Sequence, residues 1–220
     1  EHVPDNPNTR PLIMRALYGR LTDVITNLHR DPTYAAATAG AQLVVWPEAS
    51  GWIDPLTPSA EPYVATVQEV SRTTNVTIVW SYFIRIDRDR TRNELVLVRP
   101  DGVISPPTTK DHPVYVIGER SITTGLHPIH TVGNSKVGLA AGPDGSYTDT
   151  FRRLAKRGAQ LVAIPTHDWP AYAPTQISHL RLRAAEHHIG IVKSDWRSGS
   201  AVIGIDGSVR VATIPIRKTS

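Results

Sequence analysis

Three short segments of this 220-residue chain carry residue types that could act together on a reacting group. Glu48 stands in VVWPEAS, at the end of a strongly apolar run. Lys110 and Glu119 stand in TTKDHPVYVIGER. The third segment, KVGLAAGPDGSYTDTFRRLAKRGAQLVAIP, reads as strand, sharp turn, helix and strand, with Gly142 at the turn. Two carboxylates, a lysine and a displayed turn are the parts of a site that moves a proton, steadies negative charge and attacks with a nucleophile. The nucleophile is what is missing. Gly142 offers no side-chain atom, and the chain contains no cysteine anywhere that could stand in.

The elements that must hold these residues follow an α/β rhythm. Leu12–Leu17 reads as a first strand, and Leu21, Val24, Ile25 and Leu28 recur at helical spacing as one apolar stripe. Gln42–Trp46 is a short apolar run suited to a strand buried on both faces. Glu48 lies just past its carboxyl end, where open α/β sheets tend to place ligands and catalytic groups. Tyr63, Val64, Val67 and Val70 make a second helical stripe, Val76–Ile84 a β-branched and aromatic strand, and Glu94–Val98 its partner. Ser105–Gly133 lacks clear periodicity and reads as a long ordered loop carrying Lys110 and Glu119. From Lys136 the alternation is regular: strand Val137–Ala141, helix Thr148–Lys156, strand Gln160–Pro165 and a helix from about Pro174 to His188. The closing strands are Ile189–Lys193, Ala201–Ile205 and Val209–Ile214, the last two joined by an Asp206-Gly207 hairpin signal. Strands outnumber helices, so the expected fold class is α/β, an α-β-β-α sandwich with two sheets face to face.

Composition sets the outer bounds. With 40% hydrophobic and 20% charged residues the chain is an ordinary globular one, expected as one domain over 1–220. No apolar stretch approaches the roughly 18–20 residues that span a bilayer. The net charge of +4 is spread along the chain, and the densest basic run, Arg85–Arg92, is interrupted by Asp87 and Asp89. That argues for a solvated strand end and against nucleic acid as a partner. Without cysteine there are no disulfides and no thiolate metal sites. His127 and His130 sit in a Pro-containing loop, and His187-His188 are helix neighbours that point apart, so neither pair reads as a metal site. Asn75-Val76-Thr77 matches a glycosylation acceptor at a strand entry. A chain that begins at Glu1 suits either a mature product after signal removal or a soluble piece of a longer protein.

These segments together resemble the nitrilase (carbon–nitrogen hydrolase) superfamily, and within it the soluble domain of apolipoprotein N-acyltransferase. The resemblance rests on Trp46-Pro47-Glu48, on Lys110-Asp111-His112 followed by Gly118-Glu119, and on Arg181-Leu182-Arg183-Ala184-Ala185-Glu186 followed by a strand, Gly199-Ser200 and the Asp206-Gly207 hairpin. It runs from about Leu12 to Ile214. The resemblance implies a Glu-Lys-Cys acyl-transfer site with Glu48 as base, Lys110 as the oxyanion-side cation and Glu119 as a second carboxylate. The nucleophile falls on Gly142, and Pro143 removes a backbone N–H beside the usual oxyanion position. Ser146 and Tyr147 lie too far along the turn to replace it. Asp144 is expected to hold the turn or cap the next helix, and Trp169 and Tyr172 to line the pocket mouth or to cover core.

The resemblance thus implies a nitrilase-fold pseudoenzyme that acts through binding or through homo-oligomeric or filamentous assembly, with Thr148–Arg157 and Ile177–His188 as contact helices. The alternative is an active acyltransferase or amidase working through the modified Glu48–Lys110 site. No cofactor and no metal is implied. A lipid or acyl-chain ligand, an extracytoplasmic location and a membrane-anchored parent protein are the further expectations from the resemblance.

Overall fold

Alternation along the strands decides how the layers stack. The computed structural model describes residues 10–86, 90–120, 127–197 and 199–213. Strands β1 (Leu43–Val45), β2 (Thr77–Arg85), β3 (Thr91–Val98) and β4 (Thr108–Thr109) form one sheet in that order. Strands β5 (His130–Val132), β6 (Ser135–Leu139), β7 (Leu161–Thr166), β8 (Gly190–Asp195), β9 (Ala201–Ile203) and β10 (Val209–Ala212) form the other, ordered β10-β9-β8-β7-β6-β5. Helices α1 (Arg10–Thr38) and α2 (Glu61–Thr74) go with the first sheet, and α3 (Thr148–Lys156) and α4 (Ala173–His187) with the second.

Successive strand residues face opposite layers. Val79, Leu95 and Leu97 meet Val137, Leu139 and Ala163 between the sheets. Their neighbours Ile78, Trp80, Val96 and Val98 point the other way, onto Val64, Val67 and Val70 of α2. In the second sheet Val162, Ile164 and Ile191 face Phe151 and Leu154 of α3 and Leu180 and Ala184 of α4. Three cores separating four layers are the α-β-β-α sandwich. Each fully buried aliphatic side chain contributes about 1.5–3 kcal/mol. Gly138 lets Leu154 pack closely, because a Cβ there would stand 2.6 Å from the Leu154 side chain, which would have to shift.

The central pairings are parallel where helices cross over and antiparallel at hairpins. β1 runs parallel to β2, and β6, β7 and β8 run parallel to one another. Their carboxyl ends therefore come together, which positions Glu48, the Gly142 turn and the residues after β7 and β8. The Asp206-Gly207 turn joins β9 to β10 with Gly207 at φ 77°.

The amino end differs from the expected strand and stripe. Leu12–Leu17 lies inside α1, not in a strand. A short apolar run carries no period of its own, and this one continues into a helical pattern. The helix at Leu21–Leu28 is present, but the apolar stripe is not its packing face. Leu21, Val24 and Leu28 are exposed, whereas Thr22, Ile25, Thr26 and Thr33 are buried. Thr33 and Thr22 sit on this face because their hydroxyls find partners, Thr33 Oγ1 accepting the Trp46 indole N–H at 3.0 Å and Thr22 Oγ1 the Trp52 N–H at 3.2 Å. Within the long segment Ser105–Gly133 the chain forms β4, a 3₁₀ turn at Tyr115–Ile117 and β5, while residues 121–126 lie outside the described residues. The same holds for 87–89 in the Arg85–Arg92 run and for 214–220. Asn75 is exposed at the end of α2 and Thr77 is buried in β2.

Candidate functional site

Glu48 follows β1 and Pro47, and its main chain is fixed from the second sheet. Its N–H donates to Thr166 O at 3.4 Å, and its carbonyl accepts the Trp196 indole N–H at 2.5 Å. Lys110 follows β4 and donates its backbone N–H to Asn93 O at 3.1 Å. Its Nζ lies 2.9 Å from Glu48 Oε1 and 2.8 Å from Glu119 Oε2. Glu119 also accepts the Val114 N–H at 2.7 Å, which closes the loop between them. Asn93, midway along β3, donates Nδ2–H to Glu48 Oε1 at 2.5 Å and to Glu119 Oε1 at 3.1 Å. Glu48, Lys110, Glu119 and Asn93 are all buried. Burial works against the lysine's charge, but Glu48 and Glu119 outweigh it and hold the Lys110 pKa above its ordinary value.

The turn after β6 faces this cluster. Gly142 has φ +46°, a conformation that favours glycine. A Cβ built on it would lie 3.0 Å from both Glu48 carboxylate oxygens and 3.2 Å from Lys110 Nζ. Whatever side chain stood here would touch both. The Gly142 carbonyl accepts Gln176 Nε2–H from α4 at 2.7 Å. Asp144, fully buried, accepts N–H groups from Ala141 at 3.0 Å and from His112 at 2.8 Å. It therefore holds the turn and ties it to the loop of Lys110. The His112 ring also bonds Asp144 and stacks on Tyr147 with ring centroids 3.7 Å apart. Burial opposes a charge on His112, yet Asp144 and Asp149 raise its pKa.

Other residues singled out from the sequence have separate places. Trp169 is 77% exposed and does not cover core. Tyr172 begins α4, its hydroxyl 2.5 Å from Ser146 Oγ. The Ser146 hydroxyl also meets His179 Nδ1 at 3.1 Å, so it is engaged with α4 rather than with Glu48 or Lys110. His127 is buried against Asp111 at 2.6 Å, where Thr150 and Arg153 also converge. His187 ends α4 and His188 follows it in a left-handed conformation. Among the described residues, no group of three or more His, Asp or Glu is arranged to hold a metal ion.

A second buried lysine was not singled out. Lys193 of β8 lies 3.0 Å from Asp168 Oδ2 and 3.3 Å from Asp195 Oδ2, and donates to Gly199 O at 2.8 Å. Asp195 also accepts Thr166 Oγ1–H at 2.7 Å and Asp168 N–H at 2.9 Å. Burial pushes the Asp168 carboxyl up to about 6, with Lys193 pulling it back and Asp195 and Glu48 adding to it. The signal available in the sequence was a Lys and an Asp inside the apolar strand IVKSD. For Asn93 it was an amide inside TRNELVLV. Trp196 and Gln176 carried no such signal.

The α-β-β-α sandwich with Glu48, Lys110 and Glu119 brought together is the arrangement expected of the carbon–nitrogen hydrolase family. The model of that family matches residues 10–214, and the chain belongs to it. A cysteine-to-alanine variant of the Nesterenkonia AN1 amidase, of the nitrilase superfamily, superposes with a TM-score of 0.74 at 20% identity, covering 87% of this chain and 80% of that chain. A variant of the same amidase with acrylamide added at its active-site cysteine superposes at 0.72, also 20% identical, over 86% of this chain and 82% of that one. Two Mycobacterium tuberculosis proteins, Hydrolase MT0498 and Hydrolase Rv0480c, are each 32% identical over 158 residues, 65% of this chain. The match covers 56% of the length of those relatives.

Proposed function

We propose that this chain is a carbon–nitrogen hydrolase relative, akin to apolipoprotein N-acyltransferase, that has lost its nucleophile and works by binding or self-assembly rather than by acyl transfer. One observation carries the reading: Gly142 is the residue whose missing side chain would touch both Glu48 and Lys110. In covalent acyl transfer a carboxylate takes the thiol proton, the thiolate attacks the carbonyl, and a cation steadies the oxyanion. Glycine permits none of these steps. In a comparable covalent enzyme, losing the nucleophile costs on the order of 10⁶ in turnover. The remaining carboxylates and lysine satisfy one another as an ion-pair cluster, which accounts for their retention without chemistry.

Intact-protein mass after exposure to reactive acyl esters and phospholipids tests this, with Gly142→Cys run alongside. An adduct on the Cys variant alone supports a silenced acyltransferase. An adduct on the unmodified chain refutes the reading. The binding role further implies a homo-oligomer through α3 and α4, where Leu182 of α4 is exposed. Light scattering showing a concentration-independent monomer would remove assembly from it. An acyl-chain or lipid ligand, an extracytoplasmic location and a membrane-anchored parent belong to the same proposal. Among the described residues no helix is long and apolar enough to cross a membrane, so anchoring spans would have to flank residues 1–220 in the full gene.

The second reading is an amidase or acyltransferase acting through Glu48 and Lys110 without a cysteine. It draws on the amidase neighbours and the hydrolase relatives. It requires an activity that Lys110→Ala abolishes; no turnover of amides, esters, nitriles or phospholipids would dispose of it.

A further inference from the structure

His112 stands where three elements meet: the loop of Lys110, the turn after β6 and the first turn of α3. Its main-chain N–H donates to Asp144 Oδ1 at 2.8 Å, and its ring Nδ1 lies 3.1 Å from the same oxygen. On the other side of the ring, Nε2 lies 3.3 Å from Asp149 Oδ1. Tyr147 stacks on the ring at 3.7 Å with the two planes 5° apart. A neutral imidazole has one N–H and one lone pair, so one of its nitrogens would turn a lone pair onto a carboxylate. Only the imidazolium donates to both, and the electron-rich face of Tyr147 also favours a cation over it. Asp144 needs that charge. It is fully buried, and among the described residues no other cationic side chain pairs with it. Asp149 is shared with Arg153 at 2.8 Å, while Asp111 is taken up by Arg153, Thr150 and His127. The His112 side chain keeps 23% of its surface exposed, so solvent can deliver and remove its proton.

We propose that protonated His112 is a positioning residue, a pH-operated clamp that holds the Lys110 loop against the Gly142 turn and α3. Loss of its proton leaves one N–H for two carboxylates. Burial opposes the charge, but Asp144, Asp149 and Asp111 outweigh it and raise the His112 pKa above 6.5. The folded state therefore binds this proton more tightly than the unfolded chain. The clamp is fully present below pH 6.5 and is lost as pH rises through the raised value. His127 is built differently: it offers Nε2 alone to Asp111, and its Nδ1 is buried without a partner among the described residues, so a single N–H satisfies that contact. The consequence falls on Lys110. Its Nζ is placed by Glu48 and Glu119, and its loop is tied to the Gly142 turn through the Asp111 and His112 N–H groups on Asp144. The spacing between Lys110 and the Gly142 turn thus answers to pH. None of this rests on the loss of a nucleophile or on any ligand.

NMR of the unmodified chain across pH is the test. The His112 ring signals should titrate above 6.5. The amide signals of Asp111, His112 and Ala141, which donate to Asp144, should shift with the same midpoint, while those of Ile191 and Val192 in β8 stay put. Hydrogen exchange at the Asp111 and His112 amides, corrected for its intrinsic pH dependence, should be about tenfold faster above the midpoint than below it, the weight of one charge-assisted hydrogen bond. His112→Phe keeps a ring on Tyr147 without either nitrogen. It should exchange fast at every pH and lose the step. Asp149→Asn should lower the midpoint and leave the step in place. Titration of His112 at or below 6.5 overturns the inference. So do loop amides that ignore the His112 titration, a step that survives in His112→Phe, or a midpoint unmoved by Asp149→Asn. Because the titration uses the unmodified chain, it decides the matter even where a variant fails to fold.

Discussion

Lys110 and Lys193 are both buried between paired carboxylates, yet only Lys110 faces the turn that carries Gly142. Around Lys193 a backbone carbonyl, Gly199 O, adds to the two aspartates. Around Lys110 the extra partners serve the carboxylates: Asn93 grips Glu48 and Glu119, and the Val114 N–H holds Glu119. The charges respond differently as well. The first cluster strengthens its lysine's hold on the proton, whereas the second yields at a carboxyl, Asp168, near pH 6. A lysine buried between acids is therefore a way of burying charge before it is a sign of catalysis. What distinguishes a site is the space beside the lysine and the residue displayed there.

The sharpest break of this comparison removes one cation at a time. Lys110→Met and Lys193→Met each leave two carboxylates buried without their counter-ion. Each should lose about 3–5 kcal/mol in urea unfolding. If only one of them does, the two clusters are not equivalent structural ion pairs. Next comes the strut that exists at only one cluster. Asp144→Ala strands the Ala141 and His112 N–H groups and should cost about 2–3 kcal/mol, while leaving the Lys193 cluster intact by NMR.

A smaller effect tests the turn itself. Gly142→Ala puts a Cβ at positive φ and against the Glu48 carboxylate, so it should destabilise by about 1–2 kcal/mol. A neutral or stabilising result would mean that the turn relaxes away from Glu48 and Lys110. The smallest effect is a slope rather than a loss. Asp168 has a folded pKa of about 6 against an ordinary 3.8, so the folded state holds its proton more tightly than the unfolded chain. Its contribution to stability falls as pH rises from about 4 to 6, and the cost of the charged form is complete above that. Asp168→Asn should remove this segment of the pH dependence, read as the difference in urea midpoint between variant and parent. Lys110, whose pKa is raised, should add no slope in that range.

Much of the fold was written locally. The apolar runs at 42–46, 76–84 and 160–165 alternate or saturate as strands must, and the stripes at 148–156 and 174–188 turn with a helical period. The Leu12–Leu17 run misled because a short apolar segment fits either element until its neighbours decide. The stripe Leu21–Leu28 misled because the helix buries its threonines, and only the indole and main-chain groups of Trp46 and Trp52 reveal why. For the site, Glu48, Lys110, Glu119 and Gly142 were legible as motifs in order along the chain. Asn93, Trp196, Gln176 and the Lys193 cluster were not, since each acts on a residue far from it in sequence.

The sequence by itself determined the alternation of strands and helices, the absence of any thiol and the glycine at the turn after β6. The last two are facts of residue identity, and the alternation follows from local period except where a short apolar run such as Leu12–Leu17 fits either element. The tertiary structure alone decided that Gly142 faces Glu48 and Lys110 and that Asn93 links the two glutamates. Those facts depend on which strand ends meet, and parallel strands are brought together by crossovers through helices, not by neighbours in the chain.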